Sequence, residues 1–191
     1  MAHRMFAAVL PPQEVVTELD RLLEPRREAL PSLRWTKPGG WHITTAFMGG
    51  VDDHRVEPLI EAFTELARGH RPFEVSVEGG FALPHPDVAR IIVLGVQDGG
   101  DELGRLSAST RGAANRVGVR PDGRHFVPHL TLARHSRGFP AARLLGVLDS
   151  FPVWRWRAEE FVLMESHPPN HRYEVVARFP FGSADALSWS P

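Results

Sequence analysis

The chain has 191 residues, 42% of them hydrophobic, and a formal net charge of −1 at pH 7. That size buries a real core and fits one domain or two intimate lobes, and the near-neutral charge confines any nucleic-acid site to a local patch. The absence of cysteine excludes disulfides, thiolate zinc sites and a Cys nucleophile together, and no apolar run reaches the roughly 18 residues of a membrane span.

Residues Met1 to Phe6 lead straight into a strand-like stretch without the apolar core of a signal peptide, so a cytoplasmic protein is expected. Met5 to Leu10 is an apolar run stopped by Pro11-Pro12 and reads as a buried strand. From Pro12 to about Leu30, Val15, Val16, Leu19, Leu22 and Leu23 recur at helical spacing. A short strand at Ser32 to Trp35 and a turn at Lys37 to Gly40 follow. Trp41 to Met48 is rich in β-formers and ends at Gly49-Gly50, which predicts a strand. Asp52 or Asp53 then caps a helix carrying Val56, Leu59, Ile60, Phe63 and Leu66. Phe73 to Glu78 alternates apolar and polar residues, as a half-buried strand does.

The order then begins again. Arg90 to Val96 reads as a strand, Asp101 to Val117 as a helix and His129 to Arg134 as a strand. Pro140 to Leu148 reads as a short helix and Val153 to Glu165 as one long strand. Tyr173 to Phe179 is the last strand, and the tail from Gly182 is expected to be loose. Strand, helix, histidine-bearing strand, helix, strand thus occurs twice, over about 5–80 and 90–180. The expected architecture is a single bilobal α+β domain over 1–191. It has two pseudo-twofold lobes, each a mainly antiparallel sheet with helices on its outer face, and a ligand cleft between them.

Each half carries His-x-Thr: His42-Ile43-Thr44 and His129-Leu130-Thr131. Side chains at i and i+2 of a strand share a face, roughly 6.6 Å apart along it. Histidine and threonine therefore point to one side, while Ile43 and Leu130 point to a dry back. Two facing lobes would bring two imidazoles and two hydroxyls together. That set suits the opening of a cyclic phosphodiester, which needs a base for the attacking water and an acid for the departing oxygen. The threonine hydroxyls can hold non-bridging oxygens, and Arg134 can stabilise growing charge if the strand turns it inward. A zinc site is disfavoured, because two histidines are too few ligands and no His-x-x-x-His or carboxylate cluster supplies the rest. No metal and no cofactor are expected.

At these residues the chain resembles the bacterial RNA 2',3'-cyclic phosphodiesterases, or 2'-5' RNA ligases, of the 2H phosphoesterase superfamily. The blocks that carry the resemblance are Met5-Phe-Ala-Ala-Val-Leu-Pro-Pro12, Arg34-Trp35 with His42-Ile-Thr-Thr-Ala-Phe-Met-Gly49, Arg124-His-Phe-Val-Pro-His-Leu-Thr-Leu-Ala-Arg134, and Phe161 to Ser166. The resemblance implies metal-independent hydrolysis of a terminal 2',3'-cyclic phosphate to a 2'-phosphate, with His42 as acid on the 3'-oxygen and His129 as base. It also implies a reversible 2'-5' ligation. The partner would be RNA with a cyclic phosphate end, such as tRNA fragments, or nucleotides, and the protein a monomer with no membrane partner.

Trp41 departs from the family's usual aliphatic residue; alternation sends it to the core, and only a twist or bulge would let it stack on a base. Thr45 and Ala46 replace larger residues, an expected widening of the cleft near Phe47. Phe47, Phe126 and Arg124 are the substrate-binding candidates, although Phe126 could equally close its loop. Arg120, Arg4, Arg34 and Lys37, the single lysine, are further candidates for a basic patch. The histidines at 3, 54, 70, 85, 135, 167 and 171 are expected to be solvated. The competing readings are an RNA-binding module of the same fold without turnover, and a phosphodiesterase for another small cyclic nucleotide.

Overall fold

A computed structural model describes residues 2–167 and 172–182. The remaining tail and His171 lie outside these residues. In chain order the elements are β1 (Ala2–Val9), α1 (Gln13–Ala29), β2 (Arg34–Trp35), β3 (Ile43–Asp52), α2 (Asp53–Arg68), β4 (Phe73–Leu83), β5 (Ala89–Val96) and α3 (Gly100–Arg116). They continue with β6 (His129–Phe139), α4 (Ala142–Leu148), β7 (Trp154–Ala158), β8 (Glu160–His167) and β9 (Arg172–Pro180).

The strands form two antiparallel sheets, in the orders β3-β1-β8-β9 and β2-β6-β5-β4-β7. The α+β architecture is as expected, but the sheets do not follow the halves of the chain. β4, early in sequence, pairs in the sheet of β5 and β6, while β8 and β9 complete the sheet of β1 and β3. The two histidine strands occupy matched places, each next to the first strand of its own half. Helices back both sheets. α3 and α2 pack behind β3, α4 behind β4, and α1 is tied to β7 by the Trp154 indole donating to Glu18 at 2.8 Å.

The single long strand expected from Val153 to Glu165 is in fact two, broken at Glu159. In β7, buried Trp154, Trp156 and Ala158 alternate with exposed Arg155 and Arg157, which suits an edge strand with one wet face. In β8, Phe161, Val162, Leu163 and Met164 are all buried, as a strand covered on both faces must be. The change of hydrophobic period marks where the chain crosses from one sheet to the other.

Gly80 shows how tightly the back is packed: a Cβ there would lie 2.8 Å from Leu148 of α4. His3 is not simply solvated. Its Nδ1 and Nε2 lie 2.6 Å from Glu165 and Asp53, joining β1, β8 and the start of α2.

Candidate active site

The two histidine segments repeat one another in burial as well as in sequence. From His42 the residues run half-buried, buried, half-buried, buried, buried, half-buried to Phe47; from His129 they run the same way, ending on exposed Arg134. Ile43 and Leu130 are fully buried on the back, as alternation requires. The doubled buried step has a structural cause. Ala8 pairs with Thr44 but Ala7 with Ala46, so Thr45 is an extra residue in β3. Val93 pairs with Thr131 but Ile92 with Ala133, so Leu132 is an extra residue in β6. A β-bulge re-aims every residue beyond it. Phe47 and Arg134, each three residues after its threonine, therefore share the face of the histidine and threonine; regular alternation would have sent both to the back. Arg34 pairs with Arg134 on the same face.

Both bulges are held from outside. Ser107 of α3 donates to the Thr45 carbonyl at 2.6 Å, and the Thr36 amide donates to the Leu132 carbonyl at 2.8 Å. Thr45 and Ala46 are buried at the back of the sheet, so they do not widen the cleft as expected. Trp41 is likewise in the core, only 2% exposed.

Each histidine is oriented the same way. Nδ1 of His42 lies 2.6 Å from the Gly40 carbonyl, and Nδ1 of His129 lies 2.6 Å from the Val127 carbonyl. A carbonyl only accepts, so Nδ1 carries the proton in both rings and Nε2 offers its lone pair. Burial is the main cause that pushes His42 down to about 4, opposed by the Gly40 carbonyl and assisted by the charges of His129 and Arg134. Burial also lowers His129, opposed by the Val127 carbonyl and assisted by Arg134. β3 and β6 lie against one another across the two sheets, which places His42 within the field of His129 and Arg134.

Sequence reasoning missed Tyr173, the chain's single tyrosine. Its ring meets His42 edge-on at 5.3 Å, and Phe6, tilted against His42 at 4.5 Å, also meets Tyr173 edge-on at 5.3 Å, so the three rings form one cluster. The signal was slight: one tyrosine near the start of a strand that reads Arg172-Tyr-Glu-Val-Val-Ala-Arg-Phe-Pro180. Tyr173 also lies within electrostatic reach of Arg134 of the opposite sheet. Phe47 packs against the Phe6, Ala8, Val162 and Met164 cluster and carries the Arg4 guanidinium 4.7 Å above its ring.

The remaining candidates are more distant. Arg124 is 89% exposed in its side chain and lies 3.6 Å from the Asp122 carboxylate. Phe126 packs on the main core, closing its loop. Arg111, also missed, anchors that loop by donating to the carbonyls of Asp122 and Arg124 and to the Asp122 carboxylate. The Asp122 amide in turn bonds the Phe47 carbonyl at 2.8 Å, laying the loop along β3. Among the described residues no three His, Cys, Asp or Glu side chains gather to hold a metal.

A protein from Methanothermobacter thermautotrophicus named RNA 2',3'-cyclic phosphodiesterase is 28% identical over 170 residues, covering 87% of this chain and 91% of its own. A Bacillus subtilis protein of the same name is 31% identical over 151 residues, covering 76% of this chain and 79% of its own. The fold matches Escherichia coli LigT crystallised with 3'-AMP at a TM-score of 0.73 and 23% identity, covering 95% of this chain and 99% of that one. The 2'-5' RNA ligase superfamily profile matches residues 11–170, and the chain belongs to that superfamily.

Proposed function

We propose that the protein opens 2',3'-cyclic phosphates at RNA ends, leaving a 2'-phosphate, by general acid-base catalysis between His42 and His129. The observation that carries this reading is the matched pair of imidazoles, each with Nδ1 anchored to a carbonyl two residues upstream and Nε2 left for substrate. In-line attack puts nucleophile and leaving group on opposite sides of phosphorus, and one imidazole from each sheet serves that geometry. One takes the proton of the attacking water; the other protonates the departing 3'-oxygen. Following the resemblance, His129 is the base and His42 the acid. Thr44 and Thr131 hold the non-bridging oxygens, and Arg134 stabilises the charge that grows on them. The names of the Methanothermobacter and Bacillus relatives support the substrate class. Independence of metal, reversal to 2'-5' ligation and action as a cytoplasmic monomer on ends such as those of tRNA fragments belong to the same proposal.

The test is incubation with 2',3'-cyclic AMP in EDTA. The 2'-monophosphate should form, and His42→Ala and His129→Ala should each lower kcat by about 10²–10⁴-fold, the range for loss of a general acid or base. Turnover that requires added zinc or manganese would refute the two-histidine mechanism.

A further inference from the structure

Beside His129 lies a cavity of about 370 Å³ that the chemistry above does not use. Glu78, Gly80, Phe81, Gly95, Gln97 and Val127 line it. Val127 is the residue whose carbonyl holds the His129 ring. Across the sheet His129 pairs with Gly95 and Gly95 pairs with Glu78, so the three lie in one row on one face. The middle residue has no side chain, so no Cβ stands between the imidazole and the carboxylate, roughly 10 Å apart across two strand spacings. The Phe81 ring fills against this bare position, where a Gly95 Cβ would sit 3.5 Å from it.

A third bulge builds this surface. Glu78 pairs with Gly95 and Gly80 with Leu94, so Gly79 is the extra residue, and its φ of 67° is one that glycine adopts freely. The bulge turns Phe81 onto the face of Glu78, His129 and Thr131, just as the other two turn Phe47 and Arg134. Among the described residues no ion pair or side-chain hydrogen bond engages Glu78 or Gln97. An aromatic ring and two unengaged polar side chains thus face one groove beside a catalytic imidazole.

We propose that this groove is a second nucleoside subsite, holding the nucleoside whose 5'-oxygen is bonded to phosphorus in a 2'-5' linkage, and that Glu78 selects guanine there. The proposal rests on the two-histidine reading, in which His129 stands on the nucleophile's side of phosphorus, away from the ribose that carries the cyclic phosphate. In the cleavage direction the 3'-hydroxyl attacks phosphorus, giving its proton to His42. The bond to the 5'-oxygen breaks, and His129 protonates that oxygen, leaving a 2',3'-cyclic phosphate and a 5'-hydroxyl nucleoside with no further reactant. That leaving nucleoside extends past His129 into the groove. A carboxylate only accepts hydrogen bonds. Guanine alone among the bases presents two adjacent donors on its Watson–Crick edge, whereas uracil flanks its one donor with carbonyl oxygens. Phe81 offers a face for stacking.

The experiment compares cleavage of 2'-5' linked ApG, ApU and GpA, with hydrolysis of 2',3'-cyclic AMP by the wild-type protein alongside. ApG should be cleaved about tenfold better than ApU by kcat/KM, within the discrimination of one bidentate base contact, and Glu78→Gln should bring the ratio close to one. A preference that follows the base on the cyclic-phosphate side, GpA over ApG, overturns the subsite. So does equal cleavage of ApG and ApU, a ratio that Glu78→Gln leaves intact, or no dinucleotide cleavage by a protein that hydrolyses 2',3'-cyclic AMP. Failure on 2',3'-cyclic AMP itself overturns the underlying reading instead.

Discussion

Ser107 on α3 donates its hydroxyl to the carbonyl of Thr45 at 2.6 Å, although 62 residues separate them. Thr45 is the bulged residue of β3, with no partner on β1, and both side chains are buried. The bond therefore satisfies a carbonyl that the ladder has released, and it ties a helix of one half to the histidine strand of the other. Ser107→Ala is expected to leave that acceptor unsatisfied and to cost about 1–3 kcal/mol. Urea unfolding measures this, and a loss below about 0.5 kcal/mol would show that the bulge does not depend on the hydroxyl.

The pH dependence follows from the two lowered histidines. Catalysis needs one ring protonated and the other neutral, and the two protons bind as a coupled pair. Burial holds His42 down to about 4 and His129 below its ordinary value of 6.5. Above 6.5 both rings of the free protein are neutral and the acid is missing; as pH falls through about 4 His42 takes up its proton and can no longer serve as the neutral ring. Because kcat/KM reports the free enzyme, it should peak between these limits, on the acid side of neutrality. An optimum above about pH 7 would contradict the assignment.

Arg134 ties rate to that profile. Its charge lowers both histidines, and the bulge at Leu132 turns it to their face. Arg134→Ala should lower kcat by about 10²–10³-fold, as loss of one donor to a transition-state oxygen does. It should also move the kcat/KM optimum upward in pH. A slower enzyme with an unmoved optimum would place Arg134 outside the field of the imidazoles.

Tyr173 tests whether the walls around His42 matter. The edge-on ring contact at 5.3 Å is of the kind worth about 0.5–1.5 kcal/mol. Tyr173→Ala is therefore expected to lower kcat/KM about three- to tenfold, and Tyr173→Phe, which keeps the ring, to retain most of it. If the two variants are equally impaired, the hydroxyl near Arg134 is the important group.

His3 carries the opposite pH sign. Hydrogen bonds to Glu165 and then Asp53 raise its pKa, so its contribution to stability is complete below the unfolded value of 6.5 and fades as pH rises through the folded one. The loss of melting temperature in His3→Gln should be larger at pH 5.5 than at pH 8.5. Equal losses at both would mean that the contact does not depend on charge.

Amino-acid order by itself determined the two His-x-Thr units, the strands and helices that carry them, and the dry back made by Ile43 and Leu130, because period-2 and period-3.6 patterns are local properties of a chain. It also held the crossing at Glu159 in the change from alternating Trp154 and Trp156 to continuous Phe161 to Met164, a signal that reads as one strand until the two sheets are seen. Only the tertiary structure decided which residues join the histidines. A bulge is defined by the partner strand, so the turn of Phe47, Arg134 and Phe81 into the cleft cannot be read from their own segments, and simple alternation would place them wrongly. Tyr173 reaches His42 because β9 belongs to the sheet of β1 and β3, a pairing between distant segments that burial across the whole molecule selects.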